Sequence, residues 1–180
     1  MSSPASTDLR ARLAAALPGA LAPPRPLAAT DGAQPRSHPK RGEAPPADPL
    51  ATNDIVVLPE RIVDVALHLR DAHGYQLLSN ITAVDYLTEG VFEIVYHFCR
   101  LEGGPPLPIK ARVPRDAPEL PSLTPAWPGA DFQEREAFDL FGVVFRGHPN
   151  LRRIYLWDEF EGFPMRKDFP KQGDKYLEEA

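Results

Sequence analysis

The chain has 180 residues, 43% of them hydrophobic, and a formal net charge of −5, enough for one domain of ordinary size. Cys99 is its only cysteine, which excludes an internal disulfide and any zinc or iron–sulfur centre ligated by cysteines of this chain alone. The acidic balance argues against nucleic acid as the main partner, and no apolar run approaches the ~20 residues a membrane-spanning helix needs.

Residues 1–54 hold 10 of the 22 prolines and 13 alanines but no Phe, Trp or Tyr. Such a composition buries too little apolar area to offset the entropy of ordering, so a disordered tail, or one laid on a partner, is expected there. Met1 to Leu17 lacks the continuous apolar core of a signal peptide. Alanine, arginine and serine suit an organellar transit peptide, whereas Asp8 and Asp31 oppose one, which leaves the cytoplasmic side as the expected location.

From Asp54 the pattern becomes periodic. Pro59 and Glu60 suit a first helical turn, Ile62, Val65, Ala66 and Leu69 recur at helical spacing, and Gly74 fits the C-cap. His68 and His73, five apart, are expected on different faces and not as a metal pair. YQLLSNITAVDYL and VFEIVYHFCRL flank the turn Thr88-Glu89-Gly90 and predict a hairpin, with Phe92, Ile94, Tyr96 and Phe98 on one face. His97 and Cys99 share the other face, but a thiol in mid-strand reads as a small half-buried hydrophobe. LPIKARV predicts a third strand, and the prolines at 118, 121, 125 and 128 bar a long helix from the next connection. Ser122 and Thr124 suit the cap of one short turn before Trp127.

Asp131 sits where an N-cap belongs, with Glu134 three positions on, predicting a helix over Phe132–Phe141 stopped by Gly142. Val143–Phe145 reads as a short strand, Gly147-His148-Pro149-Asn150 as a turn, and LRRIYLW as a second short extended piece with Leu151 and either Ile154 or Tyr155 inward. The expected fold is α+β: two layers, a mixed and mostly antiparallel sheet of about four to five strands, and two helices. It divides into a tail over 1–54, the α/β domain over 55–157 and an extended, partner-binding tail over 158–180.

The densest chemistry lies in DFQEREAFDLFGVVFRGHPNLRRIYLWDEFEGFPMRKDFP, residues 131–170. Glu134 and Glu136 project about 200° apart around a helix and cannot flank one bond as a glycosidase pair must. Arg135 and Asp139 are spaced to pair on the helix surface. Nothing adjacent in sequence supplies a nucleophile or a metal shell, so no catalytic, cofactor-binding or metal-ligating residue is expected in this chain. An autonomous α/β enzyme using Glu136, Asp139 and His148 is the rival reading. Neither G-x-G-x-x-G nor G-x-x-x-x-G-K-[ST] is present, so nucleotide and flavin binding have no support. Docking fits better. Glu134, Arg135, Glu136 and Asp139 beside Phe138, Phe141 and Gly142 would fix register on a partner, with His148 in the following turn. Arg152 and Arg153, then Phe163, Pro164, Arg166, Lys167, Asp168 and Phe169 of the late segment, supply donors and anchors that a partner surface would order.

E-R-E-A-F-D-L-F-G at 134–142, G-H-P-N-L-R-R-I at 147–154 and G-F-P-M-R-K-D-F-P at 162–170 resemble the C subunit of NADH-quinone oxidoreductase, respiratory complex I, the counterpart of the mitochondrial iron-sulfur protein 3 subunit. With S-L-T-P-A-W-P-G-A at 122–130, the resemblance spans roughly Ile55 to Pro170 and leaves the first 54 residues unmatched. It implies a peripheral-arm subunit of a proton-translocating NADH:quinone oxidoreductase on the cytoplasmic face of the membrane. Such a subunit would dock on the hydrogenase-like D subunit and bind no cofactor itself, FMN and iron–sulfur clusters residing in partners. Membrane-bound hydrogenases and deazaflavin-cofactor dehydrogenases use similar E-R-E-x-x-D-L-F-G subunits and form the alternative.

Overall fold

A computed structural model describes residues 4–25 and 48–170. Its elements are α1 (Pro4–Ala16), β1 (Ile55–Val57), a 3-10 turn (Pro59–Arg61) leading into α2 (Ile62–His73), β2 (Leu77–Tyr86), β3 (Val91–Cys99), β4 (Leu107–Pro114), β5 (Glu119–Pro121), α3 (Ala130–Phe141) and β6 (Val144–Arg146). Four strands form a mixed sheet in the order β1-β4-β3-β2, with only β1–β4 parallel, and β5 and β6 form a separate parallel pair. The α+β class therefore stands, with one more helix than the sequence pattern predicts.

Alternation decides which side of the sheet is core. Phe92, Ile94, Tyr96 and Phe98 of β3 and Ile109, Ala111 and Val113 of β4 are buried together with Ile62, Val65, Ala66 and Leu69 of α2. Phe92 meets Phe141 of α3 edge-on at 6.0 Å, and Phe98 meets Trp127 at 5.5 Å. Gly74 ends α2 at φ 73°, donating its amide to the Leu69 carbonyl as a left-handed cap does. The opposite side of the sheet carries charge. Buried Glu93 accepts from Arg112, with Lys110 bridging Glu93 and Asp54, so the ions neutralise one another under residues 50–54.

The N-terminal expectation needs correction for residues 4–25 and 48–54, whereas residues 1–3 and 26–47 lie outside the described part. Leu9 and Leu13 of α1 and Ala20 are buried in the main core. Leu21 then bridges Val57, with the Ala22 amide donating to Val56 and the Leu58 amide to Ala20, so the chain covers the free edge of β1. Leu9, Leu13 and Leu17 recur every fourth residue, which gives an alanine-rich helix a narrow apolar stripe without aromatic residues.

His68 and His73 also depart from expectation, because their rings meet edge to face at 5.2 Å. The direction a side chain takes along a helix, and not angular spacing alone, decides which side chains meet. Burial, then the neighbouring His68, pushes His73 below the ordinary histidine range. Among the described residues no group of three His, Cys, Asp or Glu side chains could hold a metal, and no helix is long and apolar enough to cross a membrane.

Candidate functional site

Three of the charged residues of α3, Glu134, Arg135 and Asp139, face inward. The helix begins at Ala130 with Gly129 as N-cap and no side-chain cap, one residue ahead of Asp131 and without the expected Asp131–Glu134 box. Glu134 has a different use. It is fully buried and accepts from Ser122 Oγ at 2.6 Å and from the Leu123 amide at 2.7 Å. Ser122 also caps the turn before Trp127, accepting from the Thr124 amide at 3.1 Å. Glu134 thus ties α3 to the loop that carries Trp127 over Phe98.

Burial pushes the Glu134 carboxyl up to about 7, against the opposing hydrogen bonds from Ser122 and Leu123. A folded value above the unfolded 4.5 means the neutral acid favours folding. That contribution is complete below pH 4.5 and is lost as pH rises through 7. Urea titrations should show stability falling by roughly 3 kcal/mol across this window, and Glu134→Gln should flatten the fall. An unchanged slope in the Gln variant would contradict the assignment.

Arg135 and Asp139 do not pair on the surface. Arg135 is 7% exposed and donates from Nε to the Arg152 carbonyl at 3.1 Å and from Nη2 to the Arg153 carbonyl at 3.3 Å. Asp139 is fully buried: Oδ2 accepts the amides of Ile154, Tyr155 and Leu156 at 2.9, 2.7 and 3.1 Å, and Oδ1 accepts Arg153 Nη1 at 2.8 Å. Residues 151–157 consequently form no strand, because three successive amides converge on one carboxylate instead of on a neighbouring strand. Leu151 packs on the core as expected, while Tyr155 points outward. Burial raises Asp139, but the Tyr155 amide, Arg153 and the other two amides outweigh it and hold the carboxyl below its ordinary range.

The late segment is folded onto the domain through Pro170 and is not a free extended tail in the part described. Arg153 Nη2 donates to the carbonyls of Phe160 and Gly162 at 3.0 and 3.1 Å, and its guanidinium lies over the Phe160 and Phe163 rings. Arg166 donates to the Phe141 carbonyl at 2.7 Å and lies over Phe92 and Phe163. Pro164 is half-buried. Arg115 grips both Asp85 and Asp168 through paired hydrogen bonds, and the Lys167 amide donates to Asp85 at 2.8 Å. Phe169 stacks near Phe160. Asp85 and Arg115 escape a reading of the sequence, because their partners in the late segment lie 53 to 82 residues away.

His148 and Glu136 complete the set. The enclosed His148 ring accepts the Asn150 amide on Nδ1 at 3.0 Å, which places its proton on Nε2, 3.2 Å from both the carbonyl and Oδ1 of Asp131. The carbonyl is the better aligned of the two, and Oδ1 has no hydrogen-bond partner of its own. Glu136 is exposed and accepts the Tyr155 hydroxyl at 3.3 Å. Glu136, Asp139 and His148 therefore have separate partners and do not converge on one reacting point. Phe138 is half-buried and Arg152 exposed. The outward residues here include Phe132, Glu136, Arg152, Tyr155 and Trp157.

Comparison with known proteins shows what the chain resembles in sequence and in fold. The family described as respiratory-chain NADH dehydrogenase, 30 Kd subunit, matches residues 55–175. A Moorella thermoacetica protein, named as the C subunit of an NADH-quinone oxidoreductase, is 44% identical over 118 residues, covering 66% of this chain and 80% of its own length. Its namesake from Roseiflexus castenholzii is 50% identical over 117 residues, covering 63% and 67%. Among solved structures, a chain of the membrane-bound sulfane sulfur reductase, an archaeal respiratory membrane complex, matches with a TM-score of 0.62 at 24% identity over 96% of this chain and 88% of that one. That likeness is one of fold.

Proposed function

The chain belongs to the respiratory-chain NADH dehydrogenase 30 Kd subunit family, and from that premise we propose that it is a non-catalytic peripheral-arm subunit of a proton-translocating NADH:quinone oxidoreductase. It docks on the hydrogenase-like D subunit on the cytoplasmic side of the membrane and supports electron transfer whose FMN and iron–sulfur centres sit in other subunits. The names carried by relatives 44% and 50% identical support this assignment. So does the engagement of two of the three rival catalytic groups: the Asp139 carboxylate is filled by three amides and Arg153, and both His148 nitrogens have partners, while Glu136 stands apart from them on the surface.

The observation that carries the reading is the inward turn of Glu134, Arg135 and Asp139. Together they make residues 122–124 and 152–156 a fixed frame, so the outward aromatic side chains on and beside it, Phe132, Tyr155 and Trp157, are presented on a rigid support. Docking on the D subunit would use that outward set, with Arg152, and not the buried charges themselves. The test is tagging of the chain at its native level. Co-purification with other subunits and with NADH:quinone activity is the expected result. Recovery of the tagged chain alone would contradict the proposed role, and recovery in a complex that does not oxidise NADH would favour the hydrogenase or deazaflavin-linked relatives.

A further inference from the structure

We infer that the outward face of α3 and residues 155–161 is an acidic aromatic surface that receives an arginine- or lysine-rich segment of a neighbouring protein. The inference deepens the proposed role in a larger assembly and rests on it.

Three large rings lie open in one connected stretch. Phe132, Tyr155 and Trp157 are 65%, 64% and 64% exposed. Phe132 and Glu136 are one turn apart on α3, and the hydrogen bond from Tyr155 to Glu136 brings the two elements side by side. Trp157 follows and packs edge-on against Phe160 at 4.9 Å. Exposed aromatic groups of this size mark contact surfaces more than ordinary solvent faces. The backbone at Tyr155 and its two neighbours is held by Asp139 through the amides of 154–156, and Phe132 lies on α3, so this part of the surface is ordered before any partner arrives.

Charge selects the occupant. Glu136, Asp158, Glu159 and Glu161 are all exposed around these rings, while residues 155–161 contain no cation and Arg152 stands at the near edge. The chain shows the matching chemistry within itself: Arg135 lies over Phe132, Arg153 over Phe160 and Phe163, and Arg166 over Phe163 and Phe92. Among the described residues no such cation lies over Tyr155 or Trp157. A guanidinium or ammonium from outside would meet the exposed Tyr155 and Trp157 rings together with exposed carboxylates. A second copy placed by a two-fold axis would set the same acids against one another, and an acidic partner would be repelled.

The experiment places the photo-cross-linking amino acid p-benzoylphenylalanine at position 157 of the tagged full chain, in its native host, and sequences the cross-linked peptide from the assembled complex. The expected product is a peptide of another protein with two or more Arg or Lys residues close to the linked site. Combining Asp158→Lys, Glu159→Lys and Glu161→Lys should lower its yield by roughly tenfold. A link to a second copy, a link to a segment without basic residues, the absence of a link in the assembled complex, or an unchanged yield in the charge-reversed variant would each overturn the inference. If the tagged wild-type chain does not co-purify with other subunits at all, the proposed role itself fails.

Discussion

Replacing Asp139 with alanine is expected to destabilise the fold by about 3–5 kcal/mol, the range for removing one partner from a buried ion pair. The size follows from what the carboxylate holds. Three backbone amides and the Arg153 guanidinium lose their common acceptor, and Arg153 is itself only 14% exposed. Asp139→Asn keeps the shape but turns an NH2 group toward groups that also donate, so it should fall between alanine and wild type. In thermal unfolding the alanine variant should melt roughly 10 °C lower. A loss under ~1 kcal/mol, the scale of a surface pair, would mean that Asp139 is not the anchor of residues 153–156.

The second large effect is expected at Gly142. It closes α3 at φ 76°, and a Cβ there would sit 2.6 Å from the Phe163 ring and 2.8 Å from Arg166 Nη2. Left-handed backbone costs a residue with a side chain about 1–2 kcal/mol. The clash adds overpacking of similar or larger size, so Gly142→Ala should cost about 2–4 kcal/mol in all. Gly147→Ala provides the control, since Gly147 has φ 81° with nothing within 4 Å of its virtual Cβ. The difference between the two variants in urea unfolding isolates the contact of the late segment with the helix end. Equal losses would show that Phe163 and Arg166 do not press on Gly142.

Much of the fold is legible in local pattern. The alternation through Phe92, Ile94, Tyr96 and Phe98 and the helical spacing of Ile62, Val65, Ala66 and Leu69 place the sheet and α2 because burial on one face leaves a period in the sequence. The caps at Gly74 and Gly142 are legible for a different local reason, because glycine takes the left-handed conformation of a helix end without a side-chain penalty. Two features are not local. The leucines of α1 draw stability from a core built 40 and more residues later, and a composition without aromatic residues gives no sign of it. The charges of α3 read as a surface set for docking because charged side chains are rarely buried unless paired, and the partners of the buried ones are mainly backbone groups 11 to 18 residues away. One signal was available. LRRIYLWDEF has no alternation that would pair its amides in a sheet, so an acceptor from elsewhere was required, and a carboxylate on the preceding helix is the nearest candidate.

The residues that make the resemblance specific therefore have an architectural meaning. Glu134 fixes the loop before α3, Arg135 and Asp139 fix the segment after it, and Arg166 with Asp168 extends that hold to Phe92 and Arg115. Of the expected docking residues, Glu136 and Arg152 are among those that remain outward. Phe132, Tyr155 and Trp157 join them, although nothing in their local sequence marks them as exposed.

The most direct test is hydrogen exchange at the amides of Ile154, Tyr155 and Leu156 in the isolated wild-type chain, compared with Asp139→Ala. All three should be strongly protected in the wild type despite lying outside any helix or strand, and should exchange at least ~100-fold faster in the variant. Rapid exchange in the wild type, at rates typical of a free surface loop, would contradict the account.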